Sequence, residues 1–131
     1  MTIKIPKKII NKIVEHGKKD FPIEACGYLI GNGDTVTDII YMTNIDKSNE
    51  HFTFDPKEQF KALKYAREKG EKLLAVYHSH PNSPARMSNE DIRLANDTSM
   101  KYLIYSVVDD KINCFIVDKD KNVEKIEIVV L

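Results

Sequence analysis

Two histidines, His78 and His80, stand two residues apart at the end of a short apolar run over residues 73–77. Side chains alternate along an extended chain, so both imidazoles leave one face and Ser79 leaves the other. Such a pair offers two nitrogens to a metal ion. Asp91 follows across a loop long enough to fold back, and a carboxylate added to two imidazoles makes the three-ligand set of a catalytic zinc, with the fourth position left to water. A structural zinc is usually closed by four protein ligands. Each residue also has a plainer reading. A His-X-His at a strand end is often only solvated, and Ser88-X-X-Asp91 has the spacing of a helix cap, with the Ser hydroxyl accepting from a backbone N–H. The two readings of Asp91 are compatible, because a capped first turn holds its side chain in one rotamer facing the histidines.

The elements that must position these residues follow from patterning. Residues 73–77, Leu-Leu-Ala-Val-Tyr, carry no polar face and predict a strand buried on both sides. Pro6 at a first helical position, with Ile9, Ile10, Ile13 and Val14 at helical spacing, predicts an amphipathic helix ending between Gly17 and Asp20. Residues 26–30 and 36–42, joined by Gly31-Asn32-Gly33-Asp34, predict a hairpin, since Asn-Gly supplies the positive φ of tight turns. Residues 43–50 are polar and loop-like. Asp55 as cap, Pro56 at the first position and Glu58 at the third open a second helix that runs to Gly70. Residues 82–87 form a Pro-interrupted loop, and Ser88 caps a short third helix. Three strands over 102–108, 112–117 and 123–130 close the chain.

With 131 residues, 42% hydrophobic and 31% charged, the chain has the size and composition of one domain spanning residues 1–131. The order of elements predicts an α+β class: a mostly antiparallel sheet flanked by helices. Twenty basic and twenty acidic residues give no net charge, so no global field favours nucleic acid or an anionic membrane. The absence of a long apolar run predicts a soluble, cytoplasmic protein. Cys26 and Cys114 sit among apolar residues and are read as free core thiols, whereas His16 and His51 lack partners at ligand spacing and are read as surface residues.

Glu24 upstream in Glu-Ala-Cys-Gly-Tyr-Leu-Ile-Gly, His78-Ser79-His80-Pro81, a short spacer and Ser88-X-X-Asp91 together resemble the JAMM or MPN-type zinc metalloproteases. The likeness extends to Phe54-Asp55-Pro56 and to the order of elements, and no motif residue departs from the pattern. It implies a cytidine-deaminase-like JAMM/MPN fold and one Zn2+ held by His78, His80 and Asp91 with a catalytic water. It further implies Glu24 as the acid–base group hydrogen-bonded to that water and Ser88 as donor to the developing oxyanion.

The activity so implied is cleavage of an amide or isopeptide bond after the Gly-Gly tail of a ubiquitin-like or sulfur-carrier protein. Residues after Gly33 and the loop over 43–54 are expected to wall the cleft, with the tail added as a strand. Two alternatives remain, a catalytically silent MPN-type interaction module and a broad small-peptide metallohydrolase, and the oligomeric state is open between monomer and homodimer. A zinc deaminase is disfavoured, because such enzymes need a Pro-Cys-X-X-Cys that this chain lacks.

Overall fold

The computed structural model describes residues 1–131. Its elements are β1 (Thr2–Ile5), α1 (Lys7–Asp20), β2 (Cys26–Asn32), β3 (Thr35–Met42), α2 (Pro56–Glu68), β4 (Lys72–His80), α3 (Asn89–Leu94), β5 (Lys101–Ser106), β6 (Lys111–Val117) and β7 (Val123–Val130). The strands run β1-β3-β2-β4-β5-β6-β7 and close into a barrel. β2 pairs antiparallel with β3 and β4, and β6 with β5 and β7, whereas β4–β5, β1–β7 and β1–β3 are parallel.

Closure is the departure from the expected sheet, and β1 causes it. Its four residues pair in register with Glu127 to Val130 and touch β3 through Lys4 and Thr35. The Ile3–Ile5 alternation inside Thr-Ile-Lys-Ile was the available signal, but four residues are too few to separate a strand from a helix lead-in. Pro6 accordingly sits one place earlier than expected, as the N-cap, where its carbonyl accepts from the N–H groups of Ile9 and Ile10. The β2–β3 hairpin turns at Gly33, whose φ of 61° matches the left-handed conformation expected there.

Ile3 and Ile5 join Ile9 and Ile13 of α1, Leu29, Val36, Tyr77, Leu103, Tyr105, Cys114 and Ile126 in the main core. Burying Ile9 and Ile13 contributes about 1.5 to 3 kcal/mol each, so this face holds α1 in place. At Gly17 the helix passes so close to β4 and β5 that a Cβ would come within 2.8 Å of the Tyr105 ring and 3.3 Å of the Ser79 Cβ. That approach corrects the reading of His16 as a surface residue: its Nδ1 lies 2.7 Å from the Tyr77 hydroxyl and its Nε2 lies 3.2 Å from Asp20. Burial, only partly opposed by Asp20, lowers its pKa. His51 is half exposed and pairs with Asp46, while Cys26 and Cys114 are free and buried.

A second apolar cluster lies across the sheet, where Ala62 of α2 packs with Cys26, Tyr28 and Met42, flanked by Phe52, Phe54 and Val76. β2 and β4 are therefore covered on both faces, as the unbroken apolar run in β4 requires. No helix is long and apolar enough to cross a membrane.

Candidate metal centre

The last three residues of β4 are paired with β5, and His78 with β2 as well. His78 faces Cys26 on β2 and Ile104 on β5, and His80 faces Ser106. Pairing on both sides at His78 and on the β5 side at His80 fixes the backbone under two imidazoles that are only 3% and 4% exposed. Strand alternation places them together: Nε2 of His78 lies 3.1 Å from Nε2 of His80. Oδ2 of Asp91 completes a triangle, 3.3 Å from His78 Nε2 and 3.1 Å from His80 Nε2.

His80 Nδ1 lies 2.9 Å from the Pro84 carbonyl oxygen, which can only accept, so Nδ1 carries the hydrogen and the Nε2 lone pair of the neutral ring faces the triangle. Two imidazole nitrogens and a carboxylate oxygen then converge, an arrangement that needs a proton or a cation at its centre. The ring environments agree. Burial lowers the pKa of His78 more than Asp91 restores it. Burial opposes charge on His80 too, but hydrogen bonds from its ring to Asp91 and Pro84 and the nearby acids hold its pKa above the ordinary value. Burial would raise Asp91, yet hydrogen bonds from both histidines, the His78 charge and the Ser88 N–H keep it far below the usual carboxylate range. Two nitrogens and one oxygen, one short of the four ligands that close a structural zinc, suit a catalytic zinc.

Asp91 is held in that rotamer by a reciprocal cap. The Asp91 N–H donates to Ser88 Oγ at 3.0 Å, and the Ser88 N–H donates to Asp91 Oδ2 at 3.0 Å. The capping and ligand readings therefore coexist in one atom, Oδ2. Because Ser88 Oγ accepts in the cap, its own hydrogen stays available to an outside acceptor.

Glu24 reaches the same place from the segment that leads into β2. The β2–β4 register Cys26↔His78 continues through Ala25 and Ser79, whose N–H donates to the Ala25 carbonyl at 2.9 Å while Ser79 Oγ accepts from the Ala25 N–H at 2.8 Å. Glu24 directly precedes this pair and lies close enough to His80 and Asp91 for their charges to act on it. Its side chain is 3% exposed and Oε1 has no hydrogen-bond partner. Burial, offset only in part by His80, pushes its pKa up to about 8. A buried carboxyl oxygen without a partner is a place for a water or a polar substrate atom.

Beside the metal centre lies a cavity of about 460 Å³. The loop over residues 43–54 supplies one wall through His51, Phe52 and Phe54, as expected from its length and polarity, and the Phe52 ring packs 4.7 Å from that of His78. β3 contributes no residue to this cavity. The opposite wall, from Leu94, Ala95, Asn96, Asp97, Met100 and Tyr102, was not legible in the sequence, because it depends on the parallel pairing of β5 with β4, which places the segment after α3 beside β4.

Fold and site together define a JAB-domain protein, and comparison with known families agrees: the model described as "Prokaryotic homologs of the JAB domain" matches residues 6–118. The chain belongs to that family. It is 33% identical over 103 residues to the CysO-cysteine peptidase of Mycobacterium tuberculosis, covering 77% of this chain and 70% of the relative. It is 29% identical over 124 residues to the "Probable TtuB-protein conjugate cleaving protease" of Thermus thermophilus, covering 94% and 81%. The solution structure of protein DSY2949 from Desulfitobacterium hafniense superposes with a TM-score of 0.89 at 39% identity, covering 100% of this chain and 93% of that one.

Proposed function

We propose that this protein is a zinc-dependent peptidase of the JAMM type that cleaves the amide bond following the Gly-Gly tail of a ubiquitin-like or sulfur-carrier protein. The observation that carries this reading is the convergence of His78 Nε2, His80 Nε2 and Asp91 Oδ2 beside the unpartnered Glu24 Oε1. The Mycobacterium and Thermus relatives, both named for cleaving a carrier protein from what it is joined to, support the substrate class.

Zinc held by His78, His80 and Asp91 would lower the pKa of a coordinated water from 15.7 towards about 7 and draw electrons from the scissile carbonyl. Glu24 supplies the proton traffic. As the carboxylate it takes a proton from the attacking water at Oε1, and as the acid it returns that proton to the departing amine nitrogen. Burial makes this carboxylate a stronger proton acceptor than a solvated one, which favours the first half of that exchange. The Ser88 hydroxyl donates to the carbonyl oxygen as negative charge gathers there. The complete residue set argues against a catalytically silent module. Two free buried thiols fit a reducing, cytoplasmic setting, and the functional unit is taken as residues 1–131.

The cavity is larger than a glycine requires, which keeps a broad small-peptide hydrolase as a second reading. One comparison separates them. A ubiquitin-fold carrier joined by an amide bond through Gly-Gly is expected to be cleaved, and the same conjugate ending in Leu-Leu is expected to survive, since only residues without side chains pass a narrow cleft. Equal cleavage of both would establish the broader activity instead.

A further inference from the structure

Glu24 is described above by its side chain, yet what fixes it in space is its main chain, and that is held by a residue with no part in the chemistry. Asn44, the second residue after β3, is 7% exposed. Its Nδ2 donates to the carbonyl oxygens of Glu24 at 3.1 Å, His51 at 3.0 Å and Ser48 at 3.5 Å. Its Oδ1 accepts from the N–H groups of Asp46 at 3.1 Å and Thr53 at 3.2 Å. Three carbonyls on one side and two N–H groups on the other permit a single orientation of the amide. The Glu24 N–H in turn donates to the Ser48 carbonyl at 2.9 Å, so both polar groups of the Glu24 peptide backbone end on the loop that Asn44 organises.

From this geometry we infer that Asn44 is a positioning residue for the cleavage reaction: it locks the backbone of Glu24 and the Phe52 wall into one rigid unit facing the metal ligands. His51 and Thr53, which Asn44 grips, flank Phe52, and the Phe52 ring lies against His78. The metal ligands themselves are held elsewhere, by the β2–β4–β5 ladder, the Pro84 carbonyl and the Ser88 cap. Loss of Asn44 should therefore move the acid–base group relative to an unchanged metal centre. A misplacement on the order of 1 Å can cost about a hundredfold in rate. No other residue type does this work at the site. Aspartate keeps both acceptor bonds but turns an oxygen toward three carbonyl oxygens, and alanine abandons all five contacts.

The inference rests on the reading of Glu24 as the acid–base group, and its test separates the two. The probe is a ubiquitin-fold carrier whose Gly-Gly tail is amide-linked to a fluorophore, with zinc content measured on the same samples. Asn44→Asp and Asn44→Ala are expected to retain one zinc per chain and to lose about a hundredfold in kcat, with a smaller change in KM for the aspartate, which leaves the Thr53 bond in place. Ser48→Ala is the control: it removes the hydroxyl that accepts from the Glu50 and His51 N–H groups but leaves the carbonyl that holds Glu24, and it should turn over at the parent rate. Parental kcat in both Asn44 variants, zinc lost together with activity, or an equal loss in Ser48→Ala would each overturn the assignment. Should the variants fold poorly, amide exchange in the unaltered chain decides: the Glu24 N–H should exchange as slowly as the barrel strands, and exchange at loop-like rates would refute the clamp. A parent enzyme that fails to cleave the probe would count against the proposed reaction and leave the exchange result standing.

Discussion

His80 and Pro84 are joined by a hydrogen bond from the ring Nδ1–H to the backbone carbonyl, 2.9 Å long, which selects the tautomer whose Nε2 lone pair faces Asp91 3.1 Å away. A loop carbonyl four residues downstream thus does the orienting that a carboxylate or carbonyl does behind most metal-bound histidines. Pro81 and Pro84 stiffen the turn that brings the carbonyl back. The site is consequently assembled from short-range contacts on one side, His80 with Pro84 and Ser88 with Asp91, and on the other from the β2–β4 pairing of Cys26 with His78, two residues after Glu24.

Glu24→Gln keeps the shape and hydrogen-bonding reach of the side chain and removes the group that accepts a proton. Turnover should fall by a factor on the order of a hundred to ten thousand, while zinc content and fold are retained. Steady-state cleavage with parallel metal analysis checks this, and parental turnover in the Gln variant would require another base.

Ser88→Ala has two separable consequences. Loss of the cap should cost about 1 kcal/mol in thermal or denaturant unfolding, and loss of the oxyanion donor should lower kcat on the order of a hundredfold or more. Destabilisation with unchanged kcat would leave Ser88 as a cap alone.

The metal-free chain should show the strain of Glu24 in its pH dependence. Its folded pKa, about 8, lies above the ordinary carboxyl value of 4.5, so between these values the folded state keeps a proton that the unfolded state has released. The contribution of Glu24 to stability is therefore undiminished below pH 4.5 and is lost as pH rises towards 8, at up to about 1.4 kcal/mol per pH unit. His80 and Asp91 are coupled to Glu24 and contribute to the difference between the parent and Glu24→Gln, but burial of the Glu24 carboxyl is its largest cause. The Gln variant should gain on the parent steadily from pH 5 to pH 8 in denaturant melts, and a pH-independent difference would show that the Glu24 carboxyl is not held in an apolar setting.

What was legible in the sequence is what neighbouring residues decide. The His78–His80 face follows from strand alternation, the Asp91 rotamer from the capping spacing, and the second helix from Asp55-Pro56 with its cap bond to the Lys57 N–H. What was not legible depends on pairing between distant parts of the chain. β1 exists because Ile3 and Ile5 find β7 more than a hundred residues away, and its closure of the barrel could not be read from four residues. His16 looked solvated because nothing in its own helix reveals that Gly17 admits it to Tyr77 and Tyr41. The role of Asn44 was hidden likewise, since a polar residue in a polar loop becomes a structural hub only when Glu24, His51 and Thr53 close around it.

The central claim is that zinc on His78, His80 and Asp91 drives cleavage after Gly-Gly, and metal removal with restoration tests it most directly. Purified protein should carry one zinc per chain, lose it to a chelator together with all cleavage of a Gly-Gly-linked carrier conjugate, and recover both on addition of one equivalent of zinc. Asp91→Ala should recover neither. Full cleavage by the metal-stripped protein, or by Asp91→Ala, would contradict the account.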